Sequence, residues 1–195
     1  MAKLYSFFLA ITLVGLVACS NNDKQTSQTS DNELKVKGKE IAQQTLGALS
    51  KELKQALQQG GVGKAVPYCN VNALPLTDSM AKIHKVSIRR TSLKTRNPKN
   101  SPSNQEKQIL GEYQQLLAEG KKPMPRLTSL SDGRTLFNAP ILIKPLCLNC
   151  HGKVGAQITE KNYEVIKGLY PKDQAINYKV AELRGMWSIV FEKRE

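Results

Sequence analysis

The chain has 195 residues, with 29 Lys or Arg against 16 Asp or Glu and a formal charge of +13 at neutral pH. That length admits one domain with a sizeable core and leaves too little for two. So basic a surface favours acidic proteins or anionic lipid headgroups, and no basic motif is studded with aromatic residues, which argues against a nucleic-acid partner.

Lys3 followed by an apolar run from Phe7 to Ala18 has the form of an export signal and is short for a membrane-spanning helix. The run ends in Leu16-Val17-Ala18-Cys19, which resembles the lipobox of bacterial lipoproteins. The expectation is a signal over residues 1–18, cleavage before Cys19, and acyl chains on that cysteine that anchor the protein without crossing the bilayer. An uncleaved anchor helix is the alternative. By analogy with lipoprotein sorting, Ser20 points to the outer membrane and a periplasmic orientation. Ser20 to Asn32 has no aliphatic or aromatic residue, which predicts a flexible tether over residues 19–32 and a folded domain over residues 33–195.

From Leu34 to Gln59, Ala42, Leu46, Leu49, Leu53 and Leu57 recur at helical steps, and Gly60-Gly61 ends the helix. A second helical stretch, broken by Pro67 and Pro75, runs through Cys69 to about Lys85. Val86 to Ser92 alternates as a strand, and Asn97 to Asn104 reads as loop. Gln105 to Glu119 returns to helical period with Ile109, Tyr113, Leu116 and Leu117 on one side, closed by Gly120. Ser131-Asp132-Gly133-Arg134 predicts a hairpin turn between strands over Arg126–Leu130 and Thr135–Ile143. A last strand covers Met186 to Phe191. Helices followed by neighbouring strands describe an α+β domain with an antiparallel sheet.

The four cysteines are Cys19, Cys69, Cys147 and Cys150, in a chain bound for a compartment that oxidises free thiols. Cys147-Leu148-Asn149-Cys150-His151 is a CxxCH sequence, the attachment signature of haem c. Its spacing sets both sulfurs on one side of a helical turn, within reach of two vinyl groups of one porphyrin, and His151 follows as an iron ligand. One such motif implies one covalent haem. A thioredoxin-like CxxC follows an early strand, whereas this one stands late, behind Lys144-Pro145. A zinc site would need Cys69, Cys147, Cys150 and a histidine together. For the second axial ligand the candidates are His84, Met80, Met124, Met186 and Cys69. His84 reads as a surface residue and Met80 as core packing. Met124, between Pro123 and Pro125, is the best-placed methionine, and Cys69 is a leftover thiol in need of a partner.

Arg90 to Pro102, with its arginines and Asn97-Pro98, resembles a signature of the bacterial family of PAS-like c-haem domains, catalogued largely as a domain of unknown function and sometimes fused to sensor kinases. The Gly63–Cys69 region, Tyr170-Pro171-Lys172-Asp173-Gln174-Ala175 and Leu183-Arg184-Gly185 extend the resemblance over about Leu34 to Phe191. It implies a PAS-like sheet with N-terminal helices, and His151 with Cys69 as the axial pair. The chain departs from the family at Pro67 and Pro75, which flank Cys69 where a plain helix is usual, and at Asn177 and Ala181, where glycine is common.

Thiolate opposite imidazole favours ferric iron and a low potential, which suits a redox or small-gas sensing module signalling to a separate protein. The alternative is an electron-transfer cytochrome docking an acidic redox protein. A peroxidase would need an open iron position and a distal acid-base group. Of the basic residues near the ligand helix, Arg90 and Arg96 are the two expected to face the haem, while Lys85 and Lys99 face solvent.

Overall fold

Two glycines in succession inside a long helical pattern set the first element. The computed structural model describes residues 22–193; the signal segment, Cys19 and Ser20 lie outside them. Helix α1 (Asn22–His84) keeps helical dihedrals except at Gly60 and Gly61, and Gly61 sits at φ 62°, ψ −154°, a conformation close to glycine-only. The Tyr68 hydroxyl donates to Glu52 Oε2 at 2.7 Å. Sixteen residues of unbroken helix would span about 24 Å, so the second arm folds back on the first as a helical hairpin. Met80 and Ala81 accordingly pack on the same cluster as Ile41 and Ala42.

The α1 arms correct two expectations. Pro67 and Pro75 lie within the second arm without breaking it. Each removes one hydrogen bond, to the carbonyl of Gly63 or Val71, but both of those residues are exposed, so water can serve the freed oxygens. The stretch expected to be a tether is helical backbone from Asn22 onward, for it contains neither Gly nor Pro to stop the helix.

The chain then forms β1 (Ser87–Thr91), a 3-10 turn (Pro98–Asn100), α2 (Asn104–Ala118), β2 (Arg126–Ser129) and β3 (Thr135–Leu142). A second 3-10 turn (Pro145–Cys147), α3 (Leu148–His151), α4 (Glu160–Leu169) and β4 (Leu183–Phe191) follow. The sheet has the order β1-β4-β3-β2 and is antiparallel throughout, so the domain is α+β as expected. Strand β4 starts three residues earlier than the sequence suggested, because Leu183 and Gly185 pair with Leu142 and Ile141 across a register shift.

Alternation along the strands supplies both sheet faces with a core. Ile88, Phe137, Ala139, Trp187, Ile189 and Phe191 meet α1, whereas Leu136, Leu183 and Met186 meet Ile109, Leu110 and Tyr113 of α2. Gly38 of α1 is pressed onto the Phe137 ring, since a Cβ there would lie 2.5 Å from Phe137 Cγ. Helix α2 opens with a capping box between Ser103 and Glu106. Helix α4, not expected from the sequence, is capped by Thr159 and packs Ile166 and Tyr163 on Val62 and Val66 of α1. An irregular segment from Tyr170 to Glu182 then runs over the α3 turn, where the Asn177 and Tyr178 amides donate to the Gly152 and His151 carbonyls at 2.9 Å each. Among the described residues no helix is long and apolar enough to cross a membrane.

Candidate functional site

A cavity of ≈ 270 Å³ lies between the α1 hairpin and the turn that carries Cys147, Cys150 and His151. Pro145 opens that turn, the Cys147 amide donates to Lys144 O at 2.9 Å, and one turn of α3 follows. Two intervening residues bring Cys147 and Cys150 to the same cavity. Gly152 closes α3 by donating to Leu148 O at 2.8 Å, and a Cβ at Gly152 would lie 2.7 Å from that oxygen. The turn therefore requires glycine directly after the histidine.

His151 is held by its ring. Nδ1 lies 2.7 Å from the Ala175 carbonyl oxygen, which can only accept, so Nδ1 carries the proton and Nε2 keeps its lone pair. Arg184 Nε approaches that lone pair at 3.4 Å, and the Tyr178 ring stands edge-on to the imidazole. Burial, reinforced by the positive charges of Arg184, Arg96 and Arg90, pushes the imidazole well below its ordinary range, so it is neutral and competent as a ligand.

Cys69 reaches the same cavity from the second arm of α1. Burial raises its thiol, and Arg90 and Arg96 oppose that rise. Cys69, Cys147 and Cys150 are free thiols. Although these cysteines and His151 line one space, among the described residues no three His, Cys, Asp or Glu are placed to share a metal ion. They surround a volume and do not converge on a point, which suits a broad group better than a zinc ion.

Strand β1 sorts the arginines. Arg89 turns to the α2 face, where it pairs with the buried Glu106 carboxylate at 3.3 Å. Arg90 turns to the α1 face, lies over the Trp187 ring at 5.9 Å, and lines the cavity with Arg96 and Arg184. Arg96 Nη2 donates to Cys150 O at 2.6 Å, Asp173 Oδ2 at 3.0 Å and Ala175 O at 3.3 Å. Arg90 and Arg184 have no ion-pair partner among the described residues, so the cavity wall carries excess positive charge. Lys85 and Lys99 are exposed, while Lys94 is drawn onto the Tyr178 ring at 4.3 Å and donates to Ile176 O.

The remaining ligand candidates stand elsewhere. Met124 is 57% exposed ahead of β2, Met186 is buried under α2, and Met80 packs beneath the sheet. His84, expected at the surface, is half-buried at the end of α1, with its Nε2 enclosed and unpartnered; it does not line the cavity. Sequence reasoning missed Arg184, Asp173 and the Ala175 carbonyl as members of the site. Their segments carried the family resemblance, but no chemical signature marks a main-chain acceptor.

Among curated proteins nothing matches this chain. Among solved structures, the crystal structure of the cyanobacterial haem protein Tll0287 superposes with a TM-score of 0.58 at 21% identity, covering 90% of this chain and 99% of that one. A family model, Tll0287-like, matches residues 24–191, a span that includes the α1 hairpin, the whole sheet and every residue lining the cavity. The chain belongs to the Tll0287-like family.

Proposed function

We propose that this chain is an exported monohaem protein that works as a redox or small-gas sensing module. The reading is carried by one observation: Cys69, Cys147, Cys150 and His151 line a single cavity, in whose wall Arg90 and Arg184 have no ion-pair partner among the described residues. The structurally similar cyanobacterial protein is a haem protein, and haem bound here would supply a one-electron iron couple. Cys147 and Cys150 would hold it through thioethers, and His151 Nε2 and the Cys69 sulfur would be its iron ligands. Arg90 and Arg96 hold its carboxylates; Arg96 Nε is buried without a hydrogen-bond partner among the described residues, a donor suited to one of them. The apolar side chains of Leu49, Leu53 and Val66 exclude water from the flat faces.

With haem bound, a Cys69 thiolate and the His151 imidazole would together donate charge to the iron and keep the potential low, a donor pair that would not suit peroxidase chemistry. Acylated Cys19 tethers the module to a membrane, and the signal passes to a separate protein. The formal charge of +13 favours a second reading, electron transfer to an acidic redox protein.

Protein matured in a host that attaches haem c is expected to give a pyridine haemochrome typical of two thioether bonds and a low-spin ferric thiolate resonance. Cys69→Ala should abolish that resonance while leaving the thioethers intact. An unchanged spectrum in Cys69→Ala would assign the ligand to another donor, and a wild-type chain without thioether-bound pigment would remove the haem reading altogether.

A further inference from the structure

Behind the arginines of the cavity wall stands a buried acid. Asp173 has a side chain that is 0% exposed, and among the described residues its only cationic partner within ion-pair distance is Arg96. An enclosed carboxylate is costly unless it is paired and hydrogen-bonded, and Asp173 is both. Oδ2 accepts from Arg96 Nη2 at 3.0 Å, and Oδ1 accepts the Ala175 amide at 2.8 Å. The Ala175 carbonyl in turn accepts from His151 Nδ1 at 2.7 Å, with Arg96 Nη2 competing for the same oxygen at 3.3 Å. The same guanidinium reaches Cys150 O at 2.6 Å. One carboxylate thus fixes both the peptide that orients the imidazole and the arginine that ties this peptide to the α3 turn.

We propose that Asp173 is a positioning residue that holds His151 in its Nδ1–H form and lowers the reduction potential of the site; the second half rests on the haem reading above. Two effects act with one sign. Asp173 offsets the charge of Arg96, where Arg90 and Arg184 already stand without acidic partners, and negative charge near the metal favours the oxidised state. Asp173 also draws the Arg96 fork toward itself, leaving the Ala175 carbonyl a stronger acceptor for Nδ1–H, and a better-accepted Nδ1–H makes Nε2 more basic. Removing the carboxylate reverses both.

Potentiometric titration of haem-loaded wild type, Asp173→Asn and the double variant Asp173→Asn/Arg96→Gln tests this. Asp173→Asn is expected to favour the reduced form tenfold or more at fixed ambient potential, an upward shift of about 59 mV for one electron. The double variant, which removes both charges of the pair, should return toward wild type, and a tenfold shift in it would overturn the charge argument even where Asp173→Asn alone folds poorly. A merely structural role would lower thermal stability and leave the midpoint where it was; an unmoved midpoint overturns the proposal. If the wild-type chain acquires no thioether-bound haem, the haem reading fails by itself. The clamp is then decided by long-range 15N NMR of the full chain: the Nδ1–H tautomer of His151 in wild type must give way to a mixture in Asp173→Asn, and an unchanged tautomer refutes it.

Discussion

Neighbouring arginines on β1 illustrate how much one position decides. Side chains alternate across a strand, so Arg89 and Arg90 belong to different cores despite being adjacent in sequence. Arg89→Ala strips Glu106 of its ion pair in a 5%-exposed position and is expected to cost about 1–3 kcal/mol in urea unfolding, with no change in the visible spectrum of the haem-loaded protein. Arg90→Ala should do the converse, shifting the visible spectrum and midpoint potential of the haem-loaded protein while the unfolding midpoint moves little. Equal effects of the two substitutions on stability and on the cofactor would contradict the placement of the two guanidiniums. Asn177 and Ala181 provide a second case, for both adopt positive φ, 62° and 71°. A left-handed alanine is strained by about 1–2 kcal/mol, so Ala181→Gly is expected to raise stability, by about 1 kcal/mol after the added chain entropy of glycine. The resemblance implied glycine at these two places, and the left-handed backbone that both residues adopt gives a physical reason for it.

Close contacts between elements make the most sensitive points. Gly38 lets α1 settle on the Phe137 ring, and Gly185 lets β4 pass β1, since a Cβ at Gly185 would lie 2.3 Å from Thr91 O. Gly38→Ala asks a ring to move and is expected to cost about 1–3 kcal/mol. Gly185→Ala asks backbone to move and should cost more than Gly38→Ala in the same denaturation assay; the reverse order would mean that β1 yields more readily than the aromatic core. The hairpin of α1 depends similarly on Gly61. Periodicity located the break at Gly60-Gly61 and the main α2 and hairpin elements within a few residues. It misjudged Pro67 and Pro75, because proline propensity describes an isolated helix, whereas this arm is held by packing on the first arm and on α4. Helix α4 was legible though not expected: Tyr163, Ile166 and Leu169 recur at three-residue steps behind the Thr159 cap.

Between Asp78 and Glu106 the chain has no acidic residue, so Lys82, Lys85, Lys94 and Lys99 stand with the arginines in one basic stretch of sequence, of which Arg90 and Arg96 line the cavity. Under the electron-transfer reading, reduction by an acidic soluble redox protein should slow steeply as ionic strength rises, because the Debye length falls from about 10 Å at 0.1 M to about 3 Å at 1 M salt. A rate indifferent to salt in stopped-flow measurements would favour the sensing module instead.

The sequence by itself singled out the cysteines and the histidine of the candidate site. CxxCH spacing is a local property of one helical turn, and a cysteine that lacks a partner in the sequence is conspicuous before any fold is known. It determined equally the α+β class, because strand and helix periods are local. Only the tertiary structure decided which donors meet. Cys69 and His151 are brought to one cavity by the reversal at Gly61 and by β3, which leads the chain into the α3 turn, and the imidazole is set by a main-chain carbonyl from a segment that has no regular structure. Contacts between residues far apart in the chain depend on how faces pack, and nothing in a local pattern encodes that.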